Sequence, residues 1–352
     1  MEGIKVCGNT KIGETFLNSL EHKNFLFSLV ISYTQTCEIP GITFAGSDPS
    51  LLKYTSPADA EFLHYGYCKS IQDIPMTPDG KPTPALLTKV ALESASIPHV
   101  VINAGSKIKP QLPYIDAQLP AGKNITQDPA MIESDFLKAI DYGRIIGRTL
   151  SSVTDCLVIG ESIPGGTTTA LAVMRGLGID AKVSSSMPQN PVDLKEGIVS
   201  KALKNIDSKD PFAIAATLGD PMIPVVAGMV SAASEVSKVI LAGGTQMAGV
   251  LSFGRSLGFK KENLAIGATS YVANDESANF VDSIRQIADI PVLITDPMLD
   301  RSKIGGLRAF SEGFAKEGVG AGGSMIASTL KTRITPDKLF DLIEKEYLRI
   351  FT

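Results

Sequence analysis

The chain has 352 residues and is 44% hydrophobic and 20% charged, enough apolar material for one large core or two smaller ones. Its net charge of −4 excludes the broad basic surface that sequence-independent nucleic-acid binding needs, so nucleic acid is not an expected partner. No apolar stretch has the length of a membrane span, and the first residues, MEGIKVCGNTKIGE, lack the apolar core of a secretory signal. A cytoplasmic location without membrane attachment is therefore expected.

Residues 1–23 are polar with a weak helical period through Phe16 and Leu20, and 24–34 (NFLFSLVISYT) read as a buried strand. A second short strand is expected at 42–45, with its turn at 46–49. Ser56 and Pro57 start a helix through Phe62, followed by a proline-rich loop over 74–84. A helix at 85–95 and a strand at 99–102 continue the βα rhythm. Residues 105–129 hold four prolines and no period, which fits a linker or a lid over a substrate. An amphipathic helix follows over 129–150. After the strand 156–159, apolar periodicity predicts strands at 212–216, 239–242, 264–266 and 291–295. It predicts helices at 223–233, 245–257 and 276–288, then small-residue helices from 306. Thr335 and Pro336 open a terminal helix.

Strands separated by helices of this length predict an α/β fold, a doubly wound, mainly parallel sheet with helices on both faces. That domain spans 24–330, and the terminal segments 1–23 and 331–352 are expected to pack as a small helical subdomain.

Ligands of such sheets bind outside the carboxyl ends of the strands. The run 153–178, VTDCLVIGESIPGGTTTALAVMRGLG, reads as strand, glycine loop and helix. Gly160, Gly165 and Gly166 let backbone N–H groups approach an anion, and Thr167 or Thr168 is placed to cap the helix whose positive end faces the same spot. Gly166 stands where a P-loop carries its lysine, which weighs against a nucleoside triphosphatase. Glu161, beside this cradle, has no packing purpose. Further glycine-bearing ends lie at Gly219-Asp220, at Gly243-Gly244-Thr245 and at 267–270, which ends on Ser270. The stretch 317–324 places Glu317 at the mouth of Gly318, Gly320 and Gly322, a composition that suits close approach of backbone to ligand. Three histidines without i,i+4 pairing and four widely spaced cysteines predict no metal site, and no cofactor is expected.

These motifs occur in a familiar order. GESIPGGTTTALAVMRGL, Lys195 within PVDLKEGIVSKALK, GGTQMAGVL at 243–251 and KEGVGAGGSMIAS at 316–328 together resemble the nicotinate-nucleotide–dimethylbenzimidazole phosphoribosyltransferase family of cobalamin biosynthesis, in particular its archaeal branch. The resemblance covers about 140–330. The chain departs from bacterial members at Pro164-Gly165-Gly166, where they carry a glycine-asparagine pair. It departs again at Lys316, which replaces the first glycine of a glycine-glutamate-glycine context, and it lacks their acceptor-base pattern in its N-terminal third.

The resemblance implies transfer of phosphoribose from nicotinate mononucleotide to a benzimidazole-like or purine base, with inversion, giving an α-riboside 5′-phosphate and nicotinate. It places the catalytic base at Glu317 and positioning roles at Lys195 and Glu161. It also implies a homodimer, an expectation that apolar helix faces such as 225–233 support. Two alternatives remain: a phosphatase or kinase using Asp220, Asp275 or Asp296, and a non-catalytic nucleotide-binding protein that keeps only the phosphate cradle.

Overall fold

Most of the apolar runs that read as buried strands form the interior of a single eight-stranded sheet. The computed structural model describes residues 2–43, 49–72, 74–75 and 81–351. β1 (Ile4–Cys7) and α1 (Thr10–Ser19) lead into β2 (Phe25–Ile31). Helices α2 (Thr55–Tyr65) and α3 (Ala85–Ser94) precede β3 (His99–Asn103) and the two-residue β4 (Ile115–Asp116). The long α4 (Glu133–Ser151) returns the chain to β5 (Cys156–Ser162). Helices α5 (Gly166–Gly176), α6 (Val192–Leu203), α7 (Pro211–Leu218) and α8 (Met222–Ala233) separate it from β6 (Lys238–Ala242). The chain continues through α9 (Thr245–Leu257), β7 (Leu264–Thr269), α10 (Ser270–Ala273), α11 (Phe280–Ile287) and β8 (Val292–Thr295). It ends in α12 (Gly305–Ser311), α13 (Ala321–Thr332) and α14 (Pro336–Phe351).

The strand order is β1-β8-β7-β6-β5-β2-β3-β4, parallel except for β1, which pairs antiparallel with β8. Side chains of the central strands alternate between two apolar cores, as the period of two requires. Leu157 and Ile159 of β5 pack with α4, α5, α8 and α9, whereas Cys156 and Val158 pack with α2, α3, α13 and α14. The predicted doubly wound sheet with helices on both faces is the observed architecture. From β2 the order runs outward to β3 and β4 on one side, and from β5 to β8 on the other. The reversal lies between β2 and β5, the place where such sheets open a crevice for ligands.

Several local expectations are corrected. Residues 212–216 are not a strand but lie in α7, where Asp210 caps the helix by accepting from Ala213 N–H at 3.1 Å and Pro211 occupies the first turn. A short apolar run carries no period that separates strand from helix, and the cap decides it. The N-terminal segment contributes β1 as well as a helix. Ile42 and Thr43 are outside any strand, and the rest of that expected strand and its turn, Phe44 to Asp48, lies outside the described residues, as do 76–80 of the proline-rich loop. The face 225–233 is not bare. α4 covers it so closely that a Cβ on Gly143 would lie 2.2 Å from the Val225 carbonyl oxygen. Residues 105–129 follow the loop after β2, with Gly122 N–H donating to Tyr33 O at 2.8 Å, and none of them lines the cavity described below.

Candidate active site

At the reversal point, the carboxyl ends of β5, β6 and β7 open onto a cavity of about 690 Å³. Three acidic side chains stand in its wall, Asp59, Glu161 and Glu317. Glu161, the last residue but one of β5, is 2% exposed. Glu317, in the loop before α13, keeps part of its surface open to the cavity.

Backbone groups fix Glu317 in place. Its Oε2 accepts from Thr269 N–H at 2.7 Å, and its Oε1 accepts from Gly322 N–H at 3.1 Å and Gly318 N–H at 3.3 Å. Gly322 lies in the first turn of α13, so the helix end favours the charged form. Burial raises the carboxyl above the usual range, and these N–H groups limit the rise. Glu161 has less help. Burial, then the charge of Glu317, then those of Asp220 and Asp59 push it up to about 8, against a single bond from the Ile163 N–H. A value of about 8 keeps Glu161 largely protonated at neutral pH.

Two helix N-termini face the same cavity. Gly165 precedes α5 in the left-handed region at φ +75°, and a Cβ there would lie 2.8 Å from Cys37 Cβ, so only glycine fits. No side chain caps α5; the expected threonine cap is not made, and Thr168 Oγ1 is buried without a partner. Gly165, Gly166 and Thr167 line the cavity at this end. So do Gly244, Thr245 and Gln246 at the start of α9, which also has no side-chain cap. Paired positive helix ends suit a phosphate.

The structure brings Glu161, Glu317, Gly165, Gly166, Thr167, Gly244, Thr245 and Gly318 together in the wall. It sets the other expected site residues behind it. Gly160, Gly320 and Gly322 serve packing rather than ligand approach. A Cβ on Gly160 or Gly320 would meet the Phe27 ring at 2.7 or 2.8 Å, and one on Gly322 would lie 2.2 Å from the Ala268 carbonyl carbon. Gly243 continues the ladder by donating to Gly267 O at 2.9 Å, and Thr168 and Ser270 are buried in their helices. Lys195, 1% exposed, does not reach the cavity either. Its Nζ donates to Ser184 O at 2.7 Å, and burial with the nearby Lys316 charge lowers it to about 7. It positions the loop in which Ser184, Ser185 and Ser186 line the cavity.

Sequence reasoning missed Asp59 and Glu61, and the partner of Lys316. Lys316 turns away from its neighbour Glu317, as expected from adjacent positions, and pairs with Asp275 at 2.8 Å. Asp59, on α2, is 5% exposed in the cavity wall, accepting from Thr83 Oγ1 and Ser162 Oγ at 2.7 Å each. Glu61 holds the loop after α2 by accepting from the N–H groups of Lys69 at 2.6 Å and Ser70 at 2.7 Å. The segment 58–63, ADAEFL, alternates acids with apolar residues and leaves no polar stripe on a helix. That pattern was the available signal that both acids are buried.

Comparison with known proteins bears on the family and the fold. A family model described as phosphoribosyltransferase matches residues 88–258. The chain is 47% identical to a UPF0284 protein of Archaeoglobus fulgidus, over 92% of this chain and 93% of that protein. It is 41% identical to one of Sulfurisphaera tokodaii, over 94% and 95%. Its fold is similar to that of the nicotinate-nucleotide-dimethylbenzimidazole phosphoribosyltransferase from Thermus thermophilus. The TM-score there is 0.64 at 16% identity, covering 94% of this chain and 88% of that one. A structure titled CobT from the same organism gives 0.60, also at 16% identity, covering 94% and 89%. These likenesses bear out the resemblance read from the sequence, and the chain belongs to the UPF0284 family.

Proposed function

We propose that this UPF0284 family member transfers the phosphoribosyl group of nicotinate mononucleotide to an aromatic base in cobalamin nucleotide-loop assembly. The observation that carries the reading is the position of Glu317, a carboxylate fixed by three backbone N–H groups in a cavity that also receives the uncapped ends of α5 and α9.

In this reading the donor 5′-phosphate sits against Gly165, Gly166 and Thr167, with the start of α9 beside it. One ring nitrogen of the acceptor attacks C1′ of the ribose from the face opposite nicotinate, and the new N–C1′ bond forms with inversion. The old C1′–N bond breaks, its electron pair returns to the pyridinium nitrogen, and nicotinate leaves without needing a proton. The other acceptor nitrogen loses its proton to Glu317, which completes the balance. Holding base and ribose in line contributes much of the rate.

Incubation with nicotinate mononucleotide and a panel of benzimidazoles and purines, followed by chromatography, should show free nicotinate and a new riboside phosphate in equal amounts. No nicotinate release with any acceptor, from folded protein that binds the mononucleotide, would overturn the reading.

A further inference from the structure

The end of the cavity formed by α2 and the loops packed on it presents the apolar side chains of Ile42, Tyr54, Ala58, Ile71, Ile74 and Pro84. It adjoins the proposed base, since a Cβ on Gly318 would lie 3.4 Å from Pro84 Cγ, and Thr88 Oγ1 donates to Val319 O at 2.9 Å. A flat base whose reacting nitrogens face C1′ and Glu317 extends its far edge into this end.

Polar side chains also line this end, Thr43, Thr55, Gln72, Lys81 and Thr83 among them, and Asp59 and Ser70 keep hydrogen-bonding capacity that the described residues leave unused. Asp59 accepts one hydroxyl on each oxygen, from Thr83 and from Ser162. An ionised carboxylate offers about four acceptor positions, so about two stay unused. Ser70 also lines the cavity, and its Oγ is buried with no hydrogen-bond partner among the described residues. Its own N–H is tied to Glu61 Oε2 at 2.7 Å, so the residue is held in place while its hydroxyl is left unmatched. A slot meant for a base with a wholly hydrocarbon edge needs neither group, and buried polar atoms without partners are disfavoured.

We infer that the acceptor carries a hydrogen-bond donor on the edge remote from its reacting nitrogen, as in an amino- or hydroxyl-substituted benzimidazole or an aminopurine, and that Asp59 recognises it. The inference rests on the phosphoribosyl-transfer reading and adds the acceptor class to it. Ser162 links the two ends of the site, because it follows Glu161 on β5 while its hydroxyl orients the Asp59 carboxylate.

The test compares 5-aminobenzimidazole with 5-methylbenzimidazole, which match in size and differ in the donor. Calorimetric affinities are measured beside nicotinate release. Wild-type protein should prefer the amino compound by about 10- to 100-fold, the range for a hydrogen bond to a charged group. In Asp59→Asn, which keeps the shape of the side chain but removes its charge and turns one accepted hydroxyl bond into a donated one, the ratio should collapse towards one. A merely structural role would weaken both compounds equally and leave the ratio intact, and that result overturns the assignment to Asp59. A wild-type ratio near one overturns the inference outright, even if the variant does not fold. If affinities show the preference but no acceptor releases nicotinate, the transfer reading fails while recognition by Asp59 stands.

Discussion

The charge of Glu317 helps to hold a proton on Glu161. The two carboxyl groups share one cavity wall, and only Glu317 has three backbone N–H donors to stabilise its ionised form. Glu161, with burial and a like charge against it, is pushed up to about 8.

Glu317→Gln removes the proton acceptor and keeps the shape. Turnover should fall by roughly 10²-fold or more, the scale for losing a general base, while affinity for nicotinate mononucleotide stays close to wild type. Steady-state rates and direct titration of the mononucleotide measure the two separately. A variant with near wild-type turnover and an unchanged acidic limb of the pH–rate profile would remove Glu317 from the chemistry.

Glu161→Gln should change how stability depends on pH. The folded-state value of about 8 lies above the ordinary 4.5, so the folded protein holds the extra proton across that window. Its contribution to stability is complete below about pH 4.5 and is lost as pH rises towards about 8. Each tenfold change in proton affinity between the folded and unfolded chain is worth roughly 1.4 kcal/mol, so the loss is on the order of a few kcal/mol. Urea unfolding from pH 4 to 9 should show wild type losing ground relative to the glutamine variant over that range, and parallel curves would contradict the assignment.

Lys195→Met should act through the serine loop, not through the chemical step. Without the bond to Ser184 O, the donor KM is expected to rise by about 10-fold while kcat changes less. The folded-state value of about 7 lies below the usual 10.5, so wild-type stability rises through this group as pH climbs between those values, and the variant should lack that rise. Equal losses in kcat and kcat/KM would instead place Lys195 at the reacting centre.

Two glycine substitutions should have opposite signs. Gly322→Ala drives a Cβ to within 2.4 Å of Thr269 N, the group that donates to Glu317, and should cost about 1–3 kcal/mol together with a fall in kcat. Gly197 lies exposed in the middle of α6 with open space where a Cβ would be. Gly197→Ala should gain about 0.5–1 kcal/mol without touching activity. Urea midpoints for the two variants check both signs.

What the sequence determined by itself was local. The buried run of β5, the glycine turn at Gly165 and Gly166, the start of α5 and the long period of α4 depend on neighbours a few residues away, so their signals survive without the fold. The chain's order of strands and helices also implied the doubly wound sheet, because parallel strands need crossovers. The apolar segment of α7 misled, since its length suits either element and only its cap distinguishes them. The tertiary structure decided the rest. β1 is a strand because β8 offers it an edge, with Ile4 opposite Thr295. Gly320 and Gly322 are bare because α13 must press against β5 and β7 from far along the chain. Lys195 points at a carbonyl behind the wall, and Asp59 enters the cavity because Thr83 and Ser162, 24 and 103 residues away, supply the hydroxyls that stabilise it there. Burial and partnership between distant residues set the charge state of each of these groups, and no local pattern records them.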